Sequence, residues 1–70
     1  MQKWEYKRVI LDYHNLEEWM WSDTGKSIEQ EPQEERLNEL GRYGWELVSM
    51  SSFVSDGQTT GYAFYFKRPA

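Results

Sequence analysis

Gly44-Trp45-Glu46-Leu47-Val48-Ser49-Met50, followed by Ser55-Asp56-Gly57-Gln58 and then by Tyr62-Ala63-Phe64-Tyr65-Phe66, is the stretch that decides the fold. Two runs rich in β-branched and aromatic residues flank an Asp-Gly pair, which is the pattern of a β-hairpin. The earlier strand is expected over Trp45 to Val54 and the later over Thr59 to Arg68, where Pro69 ends it. Alternate residues of a strand share a face. Tyr62, Phe64 and Phe66 therefore lie on one side, and Gly61, Ala63 and Tyr65 on the other. The small Gly61 and Ala63 leave room for a helix across their side. Large apolar groups on both faces call for two covers, and only one well-marked helix is available.

That helix lies just upstream of the hairpin. Pro32 suits a first helical position, where a missing N–H costs nothing. Glu34 and Glu35 fall in the first turn and Arg42 in the last, as the helix dipole favours. Leu37 and Leu40 make an inward stripe, Gly41 allows close approach to the sheet, and Gly44 supplies a left-handed cap. Trp45 follows at once and is a candidate core ring. Nearer the start, Lys3 to Asp12 reads as a further strand, with Trp4, Tyr6, Arg8 and Ile10 on one face. The order is then β-α-β-β. The expected fold is α+β, a three-stranded, mostly antiparallel sheet with the last strand central and one main helix on one face.

Tyr13 to Glu31 fits this pattern least and reads as an insertion. Asn15 can cap a short extra helix with Leu16, Trp19 and Met20 on one stripe. Trp21 lies off that stripe. Ser22 to Ser27 reads as a loop, and Ser27 to Gln33 as a polar, loose connection.

The chain has 70 residues, enough for a single small domain over 1–70. A domain of this size buries only about 60% of the surface it exposes when unfolded. It has no cysteine and one histidine, which excludes disulfides, thiolate metal sites and multi-histidine sites. Dense aromatic packing and oligomerisation are left as sources of stability, and aromatics make up 17% of the chain. The net charge is −4, with the acids gathered between Asp12 and Glu35 and most of the bases near the ends, as Lys3, Lys7, Arg8, Lys67 and Arg68. That balance disfavours nonspecific nucleic-acid binding but leaves room for a local basic patch. With no apolar run of spanning length and no signal-peptide pattern, a cytoplasmic protein without membrane contact is the default expectation.

Four pieces occur in order: Trp4-Glu5-Tyr6-Lys7, Leu37-Asn38-Glu39-Leu40-Gly41, Gly44-Trp45-Glu46-Leu47-Val48-Ser49 and Phe66-Lys67-Arg68-Pro69. Together they are similar to a small bacterial and phage family, the domain of unknown function numbered 4177. The resemblance implies a compact β-α-β-β domain. It brings no activity, cofactor or catalytic residue with it.

No motif for catalysis stands out, and the chain is expected not to be an enzyme. His14 lacks a fixed acid and nucleophile and reads as a solvated loop residue. The Gly41–Gly44 pair reads as a helix end rather than a nucleic-acid-binding loop. Glu29, Glu31, Glu34 and Glu35 lack the alternation about a glycine turn that a calcium loop needs, so neither metal nor cofactor is expected. The aromatic and basic ends are more informative. Aromatic faces beside cations can hold a base and a phosphate together, although a packed sheet face with solubilising charges explains the same residues. The expected function is a noncatalytic binding module acting as a homo-oligomer, with another copy of itself as partner. The alternative is capture of a small anionic, nucleotide-like ligand at a subunit junction lined by Trp4, Tyr6, Arg8, Trp19, Trp21, Lys67 and Arg68.

Overall fold

A computed structural model describes residues 1–14 and 18–70, His14 by its backbone alone. The described elements are β1 (Trp4–His14), β2 (Glu18–Trp21), α1 (Gln33–Arg42), β3 (Glu46–Ser55) and β4 (Gln58–Pro69). They form one four-stranded sheet in the order β2-β1-β4-β3, with every neighbouring pair antiparallel. Among the described residues the molecule is mostly β, with a single short helix.

This corrects the expected three-stranded α+β sheet. The tryptophan-rich segment supplies a strand where a short helix was expected. Leu11 pairs with Trp21, Asp12 with Met20 and Tyr13 with Trp19. A two-turn helix is unstable alone in water, whereas a short strand gains ladder hydrogen bonds from β1. The period of two sends Trp19 and Trp21 to one face, which resolves why Trp21 does not fit a helical stripe. Asn15 and Leu16, the expected cap and first stripe residue, lie outside the described residues.

The connection from β2 to α1 is tied rather than loose. Trp21 N–H donates to Lys26 O at 2.9 Å and Ile28 N–H to Trp19 O at 2.7 Å. Ser27 and Gln30 bond reciprocally, backbone N–H to side-chain oxygen, at 3.1 and 3.3 Å. Ser27 and Glu31 are buried.

In α1, Pro32 sits just before the first helical residue, and its carbonyl accepts from Arg36 N–H at 2.9 Å. The helix ends through Gly44, whose φ of 87° lets the chain turn into β3. Asp56 and Gly57, with φ of 52° and 78°, form the hairpin turn from β3 to β4.

Register assigns the faces. Val9 lies opposite Phe64, Leu11 opposite Tyr62 and Lys7 opposite Phe66, all on the helix side. Val9, Leu11, Trp21, Leu40, Phe64 and Phe66 form the core there, with Trp19, Ile28, Leu37, Trp45 and Tyr62 packed around it. The helix is therefore on the side opposite Gly61 and Ala63, contrary to expectation. A Cβ added at Gly61 would come within 3.1 Å of the Phe53 ring, so the glycine makes way for an aromatic residue of β3. Gly41 is exposed and meets nothing, so it serves no close approach.

The dimensions explain how much stays uncovered. The ten-residue helix is about 15 Å long at ~1.5 Å per residue. The twelve residues of β4 run about 40 Å at ~3.4 Å per residue. The Cα envelope is 44 × 26 × 15 Å. One short rod covers part of one face of such a sheet and none of the other.

Candidate interaction surfaces

The two edges of the sheet differ sharply. β2 has four residues, and its outer side is met by the chain's return, where Ser27 bridges to Met20. β3 has ten residues, all exposed, and pairs only with β4. Leu47, Val48, Met50, Phe53 and Val54 stand in solvent, Val54 at 65% exposure. Glu46 is the only charge along the strand. One irregularity between Leu47 and Ser49 leaves Val48 without a β4 partner. Natural edges are usually blunted by charge, proline or brevity; along β3 such devices amount to one charge, Glu46, and irregularities at Leu47/Ser49 and Phe53/Val54.

On the helix side, a groove of about 460 Å³ is lined by Leu11, Trp19, Ile28, Gln33, Met50 and Tyr62. Trp19 stacks obliquely on Tyr13 and on Tyr62, with centroids 5.5 Å apart in each case. No charged residue lines the groove.

The open side carries Trp4, Tyr6, Arg8, Ile10 and Asp12 from β1, facing Tyr65 and Lys67 of β4. Lys67 Nζ stands 4.4 Å over the Trp4 ring. Tyr6 is 72% exposed. A second groove, about 400 Å³, is lined by Tyr6, Lys7, Arg8, Tyr65 and Phe66.

The residues read from the sequence as one ligand site are thus divided between faces. Trp4, Tyr6, Arg8 and Lys67 are together on the open side. Trp21 is a core residue at 1% exposure; it packs on Phe64 at 5.7 Å, and its indole N–H donates to Glu31 O at 2.7 Å. Trp19 belongs to the helix-side groove. Arg68 clamps the far end of α1: its guanidinium lies 4.2 Å over Trp45, donates to Glu5 Oε1 at 2.6 Å and donates to Tyr43 O at 2.8 Å. Trp45 is half-buried between Arg68 and Lys7. Tyr65, Tyr62 and Met50 were read from the sequence as strand residues and not assigned to the ligand site. Only the β1–β4 register shows that Tyr65 faces Arg8, and register is a long-range property.

A polar cluster joins α1 to the β2 connection. Buried Arg36 pairs with Asp23, with Glu31 at 3.6 Å and with Glu39 at 3.4 Å. Burial, followed by the neighbouring Glu39 carboxylate, raises the Glu31 carboxyl above the ordinary value of 4.5 despite Arg36. Glu31, reinforced by Arg36, lowers Glu39. Arg36 is the central tie of this cluster, and no local signal in the sequence marked it.

Among the described residues, no group of three or more His, Asp or Glu side chains could hold a metal ion. No helix among them is long and apolar enough to cross a membrane. The fold and its surfaces define a small, mostly β domain with one open sheet face and one open edge. Residues 4–69 match the model of the family described as Domain of unknown function (DUF4177), and the chain belongs to that family. No curated protein matches the chain. No solved structure matches it either.

Proposed function

We propose that the chain is a noncatalytic interaction module that works as a homo-oligomer, with β3 as its self-pairing edge. The observation that carries this reading is the exposure of all ten β3 residues beside an unpaired outer edge. A strand in that state presents a row of N–H and C=O groups ready for another strand. A second copy of β3, antiparallel about a two-fold axis, is the self-complementary occupant.

Charge supports that pairing. With the strands centred on Met50, which then lies opposite Met50 of the other copy, Glu46 lies opposite Val54. The two glutamates then stand at opposite ends, about 27 Å apart at ~3.4 Å per residue. Leu47, Met50, Phe53 and Val54 gain neighbours across the dyad without any like-charge contact. The pairing leaves the open face free in both copies.

Light scattering on a size-exclusion column tests the proposal. The expected mass at high micromolar concentration is about twice the 8.5 kDa of one chain. A mass of one chain at every concentration would overturn it.

A further inference from the structure

We propose that the open face of β1 and β4 holds a nucleotide, meaning a flat heteroaromatic base that carries phosphate. The inference goes beyond self-association and does not depend on it.

Four side chains make a checkerboard. Tyr6 lies directly opposite Lys67, and Arg8 directly opposite Tyr65. The two rings occupy one diagonal and the two cations the other. Diagonal neighbours on an antiparallel pair are about 7–8 Å apart. Two successive van der Waals spacings of about 3.5–4.0 Å add to the same distance. One planar ring therefore fits between Tyr6 and Tyr65, stacked on both. The groove there measures about 400 Å³, within the range of about 300–1,000 Å³ typical of small-molecule sites.

The charges point to an anion on that ring. Arg8 is exposed and has no carboxylate or hydrogen-bond partner among the described residues. Asp12 is four residues further along β1, roughly 13 Å away at ~3.4 Å per residue. Lys67 is held over Trp4, and Glu46 of β3 lies opposite it, so its charge is partly offset. Among the described residues, Arg8 is thus the free cation beside the stack, and its planar fork suits a phosphate. Tyr6, at 72% exposure, contributes little to packing within the chain and is free to stack on a ligand. The helix-side groove lacks any cation in its lining, so it does not fit the same ligand.

The test is a titration followed by backbone amide NMR, with AMP, adenosine, ribose 5-phosphate and an adenine hexanucleotide as probes. The expected result is saturable AMP binding with shifts centred on residues 6–8 and 65–67. Tyr6→Leu should weaken AMP and adenosine alike by about tenfold, the fold-change that loss of one base stack corresponds to. Arg8→Gln should weaken AMP by a similar factor and leave adenosine unchanged. Both changes are at exposed positions, and an unaltered thermal midpoint and solution mass show that fold and assembly are intact. Tighter binding of the hexanucleotide per site identifies a single strand as the source of the nucleotide; equal binding identifies the free nucleotide. Absence of saturation by AMP and by the strand up to about 5 mM, or AMP binding insensitive to both substitutions, would overturn the proposal.

Discussion

Trp21 is where the β2 excursion is fastened to the rest of the chain. Its ring is closed off from solvent against Phe64, and its N–H is satisfied by Glu31 O. Trp21→Ala should cost about 3–5 kcal/mol, as for other buried aromatics, a large share of a small domain's stability. Trp45 looked like the core ring in sequence because it follows the helix cap directly. It is half-buried between two cations, so Trp45→Ala should cost less than Trp21→Ala. Urea unfolding of both variants checks the ranking, and equal losses would show that burial does not set it. The Glu31–Glu39 pair carries a pH signature. Glu31 has a raised pKa in the fold, so its contribution is present below about 4.5 and fades as pH rises through its folded value. Glu39 is lowered, so its contribution is present above 4.5 and fades on acidification through its folded value. Glu31→Gln keeps the shape of the side chain and removes the titrating group. As pH rises above about 4.5, the thermal midpoint should fall less steeply in the variant than in the parent; an unchanged slope would assign that fall to other groups.

At the scale of elements, legibility followed the range of the signal. The hairpin could be read because Asp56-Gly57 fixes its turn locally. The helix could be read because Pro32 and Gly44 mark its ends within one turn. β2 could not. Glu18-Trp19-Met20-Trp21 is too short for either period to be decisive, and its pairing with residues 11–14 is what selects the strand. The same limit applies to the sites: Tyr6, Arg8 and Lys67 were visible as aromatic and basic residues, but Tyr65 joins them only through register. β3 was legible as a strand but not as an edge. Its exposure predicts that charge on it will act on assembly rather than on the fold. The double change Val48→Lys and Val54→Lys should convert the assembly to single chains while leaving the far-ultraviolet circular dichroism of dilute protein unchanged. Retention of the assembled mass would place the contact elsewhere.

For the molecule as a whole, supply and demand for cover do not match. The single helix shields the Val9–Phe64 region, while the open face and β3 remain in water. The sequence already displayed this imbalance as bulky apolar residues on alternating positions of both faces. One part of the uncovered surface lies along the β3 edge, which is proposed to meet a second copy, and the other on the ring-and-cation face, which is proposed to hold a nucleotide. The β3 amides that do not bond to β4 report most directly on the first. Hydrogen exchange followed by NMR as the protein is diluted should show these amides protected at high concentration and unprotected at low concentration, in step with the solution mass. Fast exchange of the same amides at every concentration would contradict pairing through β3.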